Sequence, residues 1–247
     1  MGGQLKVPTL RPFWLYYGSK WRAAPRYPKP TNGTIIEPFA GAAGYAMRYP
    51  ERRVILVDKY AVIAGIWRYL ISVSPGEIRR IPVVDAVDDL PLWVPQEARD
   101  LVGFAMNHAT VSPRKTLSSG LRRLRATRRR FVSWSEDMRE RVASQVERIR
   151  HWRIIEGDYA SVDIEATWFI DPPYNNKAGG YYVHSRLDYT TLGEWCKSRR
   201  GQVIVCENEG ASWLPFRPFT TLKAGVNGRG SKEVIWTNDI IQEETNE

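Results

Sequence analysis

The segment TIIEPFAGAAGYAMRYPERRVILVD, residues 34–58, changes its pattern four times in twenty-five positions. Thr34-Ile35-Ile36 is a short β-branched run, which favours a strand. Glu37-Pro38-Phe39-Ala40-Gly41-Ala42-Ala43-Gly44 is a turn of small residues, and a helical stretch is predicted from Tyr45. Arg53-Val54-Ile55-Leu56-Val57-Asp58 is a second strand ending in an acid, and Ala61 to Val73 reads as a helix. Strand, glycine turn, helix, strand, acid and helix in that order open a doubly wound α/β sheet. Downstream, the strand signal disappears between about Pro75 and Trp152. Pro95 to Ala109 is helical in period there, and Ser135 stands as an N-cap before an amphipathic run to about Arg150. Strands return at Ile154-Ile155, Trp168 to Ile170, Gln202 to Cys206 and Val234 to Trp236, with a helix over Thr190 to Ser198. The predicted organisation is one α/β domain, residues 1–74 and 153–247, interrupted by a helical insertion at 75–152.

The net charge of +9 is concentrated in that insertion. Between Val111 and Ser135 stand eight basic residues (Arg114, Lys115, Arg122, Arg123, Arg125, Arg128, Arg129 and Arg130) and no acid. A basic stripe of this kind is the footprint of a polyanion binder, the alternative being a solvated helix face. No apolar run reaches the length of a membrane span, and the first residues lack a signal peptide's apolar core. Cys196 and Cys206 form no disulfide framework, and His108, His151 and His184 are scattered, so no metal site is expected. The resulting expectation is a cytoplasmic, metal-free protein.

Two strand ends carry chemistry. Asp171-Pro172-Pro173-Tyr174 directly follows an apolar strand, and strand carboxyl ends are where open α/β sheets build ligand sites. A rigid Pro-Pro turn would present the Asp171 carboxylate, the Pro172 carbonyl and the Tyr174 ring together. That set suits a planar base bearing an amino group. The second strand end is residues 37–44, whose small side chains let a ligand approach the backbone. Asp58 is placed to accept ribose hydroxyls, and no Gly-Lys-Ser/Thr motif follows the glycines, which argues against ATP hydrolysis.

In their order these residues resemble the Dam-type (D12, or α-group) DNA N6-adenine methyltransferases over nearly the whole chain. Tyr16-Tyr17-Gly18-Ser19-Lys20 looks like the family's N-terminal cofactor motif, with Ser19 in place of a glycine. Phe39-Ala40-Gly41 looks like the start of its Phe-x-Gly-x-Gly loop, with Ala43 at the second glycine and Gly44 one position later. Gly157-Asp158-Tyr159 is similar to the Gly-Asp-Phe element, Asp171 to Tyr174 to the catalytic motif, and Glu233 to Asn238 to the closing strand. The resemblance implies a Rossmann-like S-adenosylmethionine-dependent methyltransferase sheet with a helical target-recognition insertion. It implies cofactor contacts from Tyr16, Lys20, Glu37, Phe39, Gly41, Asp58, Asp158, Tyr159 and Asp171, and catalysis by Asp171, Pro172, Pro173 and Tyr174. Double-stranded DNA would be held by Arg114, Lys115, Arg122, Arg123, Arg128, Arg129 and Arg130. A phage or bacterial setting follows, in restriction-modification, self-protection or regulation, for a monomer or weak dimer.

The reaction implied is direct methyl transfer to adenine N6. Tyr181 and Tyr182, with Asn175 and Lys177, lie in a loop that either closes over the base or packs ordinarily. Cys206-Glu207-Asn208-Glu209 reads chiefly as structural, and Trp134, Trp152, Trp195 and Trp213 as core. Competing readings are an N4-cytosine or RNA adenine methyltransferase and a catalytically inactive DNA-binding protein. Intact Lys20, Asp58 and Asp171 speak against the last.

Overall fold

The computed structural model describes residues 9–107, 109–126, 133–222 and 231–238. In chain order its strands and α-helices are β1 (Thr34–Glu37), β2 (Arg53–Asp58), α1 (Ala61–Ser72), α2 (Pro75–Arg80), α3 (Gln96–Phe104), α4 (Ser119–Ala126) and α5 (Glu136–Ala143). They continue with β3 (Arg153–Glu156), β4 (Ala166–Ile170), α6 (Tyr189–Lys197), β5 (Gly201–Asn208), β6 (Arg217–Leu222) and β7 (Ser231–Thr237). The sheet runs β3-β2-β1-β4-β5-β7-β6. β1 to β5 are parallel to one another, and β7 lies antiparallel between β5 and β6. This is the expected Rossmann-like α/β architecture, in the variant used by methyltransferase-type folds.

The strands are apolar because both faces are covered, as parallel sheets require. Successive residues alternate between two cores. Ile35, Phe169 and Ile204 pack on one face with α1 and α3, while Ile36, Trp168, Ile170 and Val203 pack on the other with Leu192 and Cys196 of α6. Helices of the 75–152 segment do not form a separate core. Ile78, Leu101, Met138 and Val142 join the cluster that buries Trp14 and Trp67, so the segment shares one apolar core with the sheet. Ser74 and Glu77 close a capping box on α2, and Ser135 caps α5 through the Met138 N–H as its position predicted.

Four elements differ from the sequence pattern. After Tyr45 only a single 3₁₀ turn forms, Ala46–Arg48, because Pro50 disfavours helix at Tyr49. The helix starting at Pro95 has Pro95 as its N-cap and ends at Phe104. The run to Arg150 breaks after α5 and resumes as a 3₁₀ turn at Val146–Ile149. At that break the Gln145 amide clamps the Arg11 backbone, accepting from its N–H at 2.6 Å and donating to its carbonyl at 3.1 Å. Strand β6 has no clear sequence signal, since Pro218 interrupts it. At the sheet edge a proline costs no ladder bond, and the register shifts between Pro218 and Thr220. Among the described residues no helix is long and apolar enough to cross a membrane.

Candidate functional site

Strand order reverses between β1 and β4, and there the carboxyl ends of the strands open into a crevice. A cleft occupies that position. It is lined by all nine residues expected to hold a cofactor: Tyr16, Lys20, Glu37, Phe39, Gly41, Asp58, Asp158, Tyr159 and Asp171. Tyr60 and His184 line it too, which sequence reasoning did not assign, as does Tyr182 from the loop expected either to close over the base or to pack ordinarily.

Each wall has a local cause. Asp58 ends β2 and accepts the Gly41 N–H at Oδ2 and the Tyr60 N–H at Oδ1, both at 2.9 Å, so it shapes the loop after β1. Burial pushes its carboxyl up to about 6, against those two hydrogen bonds. Gly41 has a φ of +44°, and the Trp67 indole donates to its carbonyl at 2.8 Å. Gly44 explains the displaced second glycine. A Cβ there would sit 2.6 Å from the Trp21 backbone nitrogen, so glycine is needed where the loop meets the N-terminal motif. Ala43 adopts the left-handed conformation in its place, with φ +48°. Glu37 accepts the Ala46 N–H at 2.6 Å, and burial pushes its carboxyl up to about 8. Phe39 and Tyr159 stack at 5.5 Å with 27° between their planes, forming an aromatic wall. Asp158 caps the short turn at Tyr159–Ser161 and pairs with Lys59 at 3.3 Å.

At the other end of the cleft, Asp171 meets Lys20. The ammonium lies 2.8 Å from Asp171 Oδ1 and 2.9 Å from Oδ2, donates to the Gly18 carbonyl at 3.0 Å, and stands 3.5 Å from Glu233 Oε1. Burial would push the Lys20 ammonium down, but Asp171, Tyr174 and Glu233 hold it well above its ordinary value. Burial likewise raises the Asp171 carboxyl, and Lys20 limits the rise to about 6. Pro172 and Pro173 are buried, and the Pro173 carbonyl accepts the Tyr189 hydroxyl at 2.7 Å. Tyr174 is half-buried, with its hydroxyl donating to Glu233 and the Lys20 ammonium 4.8 Å from its ring centroid. One face of that ring is thus taken by Lys20.

The two loop tyrosines have different fates. Tyr182 packs on Tyr16 and Tyr17 and donates to the Tyr17 carbonyl at 3.1 Å. A Cβ on Gly18, whose φ is +74°, would lie 2.3 Å from the Tyr182 hydroxyl. Tyr181 is exposed at the rim, edge-on to Tyr17. Asn175 donates its backbone N–H to Glu207, and Lys177 is exposed. Glu207 is itself buried and also accepts the Trp213 indole N–H at 3.0 Å. It supports the loop after Asp171, a role that its place at a strand's carboxyl end could have suggested. Trp134 and Trp152 are core, and Trp195 and Trp213 are half-buried packing residues.

Of the basic residues, Arg114, Lys115, Arg122 and Arg123 are exposed. Arg128, Arg129 and Arg130 lie outside the described residues. The start of the basic segment adjoins the cleft, since Tyr16 bridges Thr110 and the Tyr17 N–H donates to the Thr110 carbonyl at 3.3 Å.

Fold and site together define an α/β protein with a cleft at its topological switch point. No family model matches the chain, and no curated protein does. Among solved structures, a conserved hypothetical protein of Streptococcus pyogenes is similar at 11% identity, over 87% of this chain and 89% of its own, with a TM-score of 0.39. A candidate methyltransferase of Escherichia coli, yhhF, is similar at 10% identity, over 96% and 92%, with a TM-score of 0.35. These likenesses are weak, and the fold assignment stands on the strand order.

Proposed function

We propose that this chain transfers a methyl group from S-adenosylmethionine to N6 of adenine in duplex DNA. The observation that carries the reading is the meeting of Asp171 and Pro173, from the Asp-Pro-Pro-Tyr turn, with the loop after β1 and Asp58 in one cleft. The lining chemistry fits such a cofactor better than a nucleotide polyphosphate. Four carboxyl residues line the cleft (Glu37, Asp58, Asp158 and Asp171). Its two lysines are both paired with carboxylates, Lys20 with Asp171 and Lys59 with Asp158, so neither is left to neutralise phosphate. With Glu37 held protonated at neutral pH by burial, Asp58 is the acid left uncompensated, and a cationic nucleoside is the ligand such a balance favours. When bound, the cofactor supplies an electrophilic methyl group on a sulfonium.

The chain's own residues would then do three things. Asp58 would take the ribose hydroxyls, with the Phe39–Tyr159 wall beside the planar ring. Asp171 and the Pro172 carbonyl would each accept one hydrogen of the adenine amino group. Because that nitrogen's lone pair is delocalised into the ring, holding both hydrogens favours a pyramidal nitrogen and localises the pair for attack. Tyr174 would stack on the base through the face that Lys20 leaves open. The base must leave the duplex stack to arrive there. Exposed Arg114, Lys115, Arg122 and Arg123 suit phosphate contacts, which give affinity that falls with salt. The adjacency of Thr110 to Tyr16 and Tyr17 supports placing the 75–152 segment as the target-recognition region.

The test is incubation with duplex DNA and methyl-labelled S-adenosylmethionine, followed by digestion and mass identification of the nucleosides. N6-methyldeoxyadenosine supports the proposal, and N4-methyldeoxycytidine replaces its substrate. Product only on RNA moves the target, and absence of cofactor binding refutes the reading. A second expectation concerns Asp58→Ala, which removes an acceptor for the ligand and for two backbone N–H groups. Charged hydrogen bonds of this kind are worth enough that cofactor affinity should fall about 10- to 100-fold. Calorimetric titration with S-adenosylhomocysteine checks it, and unchanged affinity would remove Asp58 from the site.

A further inference from the structure

Glu233 is 3% exposed, yet it does not line the cleft. It projects from β7, the strand antiparallel to its neighbours, where it pairs with Asn208 of β5 and Thr220 of β6. Its carboxylate accepts the Tyr27 hydroxyl at 2.6 Å through Oε2 and the Tyr174 hydroxyl at 3.1 Å through Oε1. The same Oε1 stands 3.5 Å from the Lys20 ammonium. A lysine ammonium has three N–H donors and no acceptor. Those of Lys20 face three separate pieces of chain: the Gly18 carbonyl before the first turn, Asp171 at the end of β4, and Glu233 on β7. Tyr174 has one hydroxyl, and it goes to Glu233. Removing the acid would free both the ammonium's third donor and the end of the tyrosine ring, and would reach the cofactor cleft only through Lys20.

We infer that Glu233 is a positioning residue for the methyl-acceptor half of the site, holding the Lys20 ammonium against Asp171 and fixing the plane of Tyr174. This inference rests on the proposed methyl transfer. Burying a carboxylate is costly unless it is paired and hydrogen-bonded, and both partners on its site-facing oxygen belong to the acceptor site. Tyr27, on the other oxygen, packs against Phe169 and Phe219 in the core and provides an internal control.

The experiment compares Glu233→Gln and Tyr27→Phe with wild type. It uses unmethylated plasmid DNA of mixed sequence as acceptor and S-adenosylhomocysteine as the cofactor probe. Glutamine keeps an acceptor for the tyrosine hydroxyls but loses the charge facing Lys20. Misplacing a reacting group by an ångström can cost about 100-fold in rate. Glu233→Gln should therefore lower kcat on that order, while S-adenosylhomocysteine affinity stays within about threefold and the KM for cofactor does not rise. Tyr27→Phe should lower the thermal midpoint and keep kcat. Glu233→Asp is read in the same way should the glutamine variant fold poorly. Unchanged kcat in the Glu233 variants overturns the assignment. So does a loss of rate that follows thermal destabilisation equally in Tyr27→Phe, or that is matched by lost cofactor affinity. Wild type that binds cofactor but methylates nothing defeats the proposed function itself and this inference with it.

Discussion

Asp171→Asn should reduce methyl transfer by about 1,000-fold, the scale seen when a group aimed at developing charge is lost from a water-poor site. The substitution preserves shape and one carbonyl oxygen, but it withdraws the negative charge that faces both Lys20 and the proposed amino group. Cofactor affinity should change by less than about tenfold, since Asp58 and the residues 37–44 loop are untouched. Methylated nucleoside formed per minute, beside a titration with S-adenosylhomocysteine, separates the two quantities. Rate and affinity falling equally would make Asp171 a cofactor ligand rather than a catalytic residue. The wild-type pH profile is a companion test. Burial lifts the Asp171 carboxyl to about 6, so the ionised acceptor is lost as pH falls through that value. At saturating cofactor, which removes the contribution of Asp58 at about 6, kcat/KM for the acceptor should be level above about 6 and decline below it with the shape of a single protonation. A limb near the ordinary aspartate range would place the controlling group elsewhere.

Lys20→Met should be the most destabilising substitution in the cleft. The ammonium is 4% exposed and compensates a half-buried carboxylate, Asp171, and a buried one, Glu233. Removing one partner of a buried pair costs about 3–5 kcal/mol, because the remaining charge is stranded. For a chain of this size that is roughly 6–20 °C in thermal midpoint. The sign of the pH dependence follows from what Lys20 does. It holds the Asp171 carboxyl below where burial alone would put it, so without Lys20 that carboxyl rises further. The deficit should be greatest where Asp171 is forced to stay ionised, at about pH 8, and shrink towards about pH 5 as it protonates. Thermal unfolding of wild type and variant across that range measures it. Adding Asp171→Asn to Lys20→Met should recover part of the lost stability, because it removes one of the stranded charges. No recovery would mean that the lysine contributes packing rather than charge.

Much of the site was legible in the sequence because its residues sit where strands end. β1, β2 and β4 are short apolar runs buried on both faces, and the polar residue that stops each run (Glu37, Asp58 and Asp171) falls at the same edge of a parallel sheet. The glycine pattern was legible for a similar reason. Gly41 and Gly44 are small where the loop turns left-handed or meets the Lys20–Trp21 backbone, constraints that leave a local mark.

What the chain's order could not reveal depends on contacts between distant residues. Glu233 lies 213 positions from Lys20, and nothing in Ser231 to Thr237 distinguishes a buried acid from an outward one until β7 inserts between β5 and β6. Tyr182 became a cleft wall and Tyr181 a rim residue though they are adjacent, because the loop's fold packs one ring on Tyr16 and Gly18 and leaves its neighbour outside. Periodicity along the chain specifies strands, helices and the acids that terminate them. Which charges share a buried site, and which aromatic ring closes it, was set by strand order and loop packing, whose energies depend on pairs that no local pattern records.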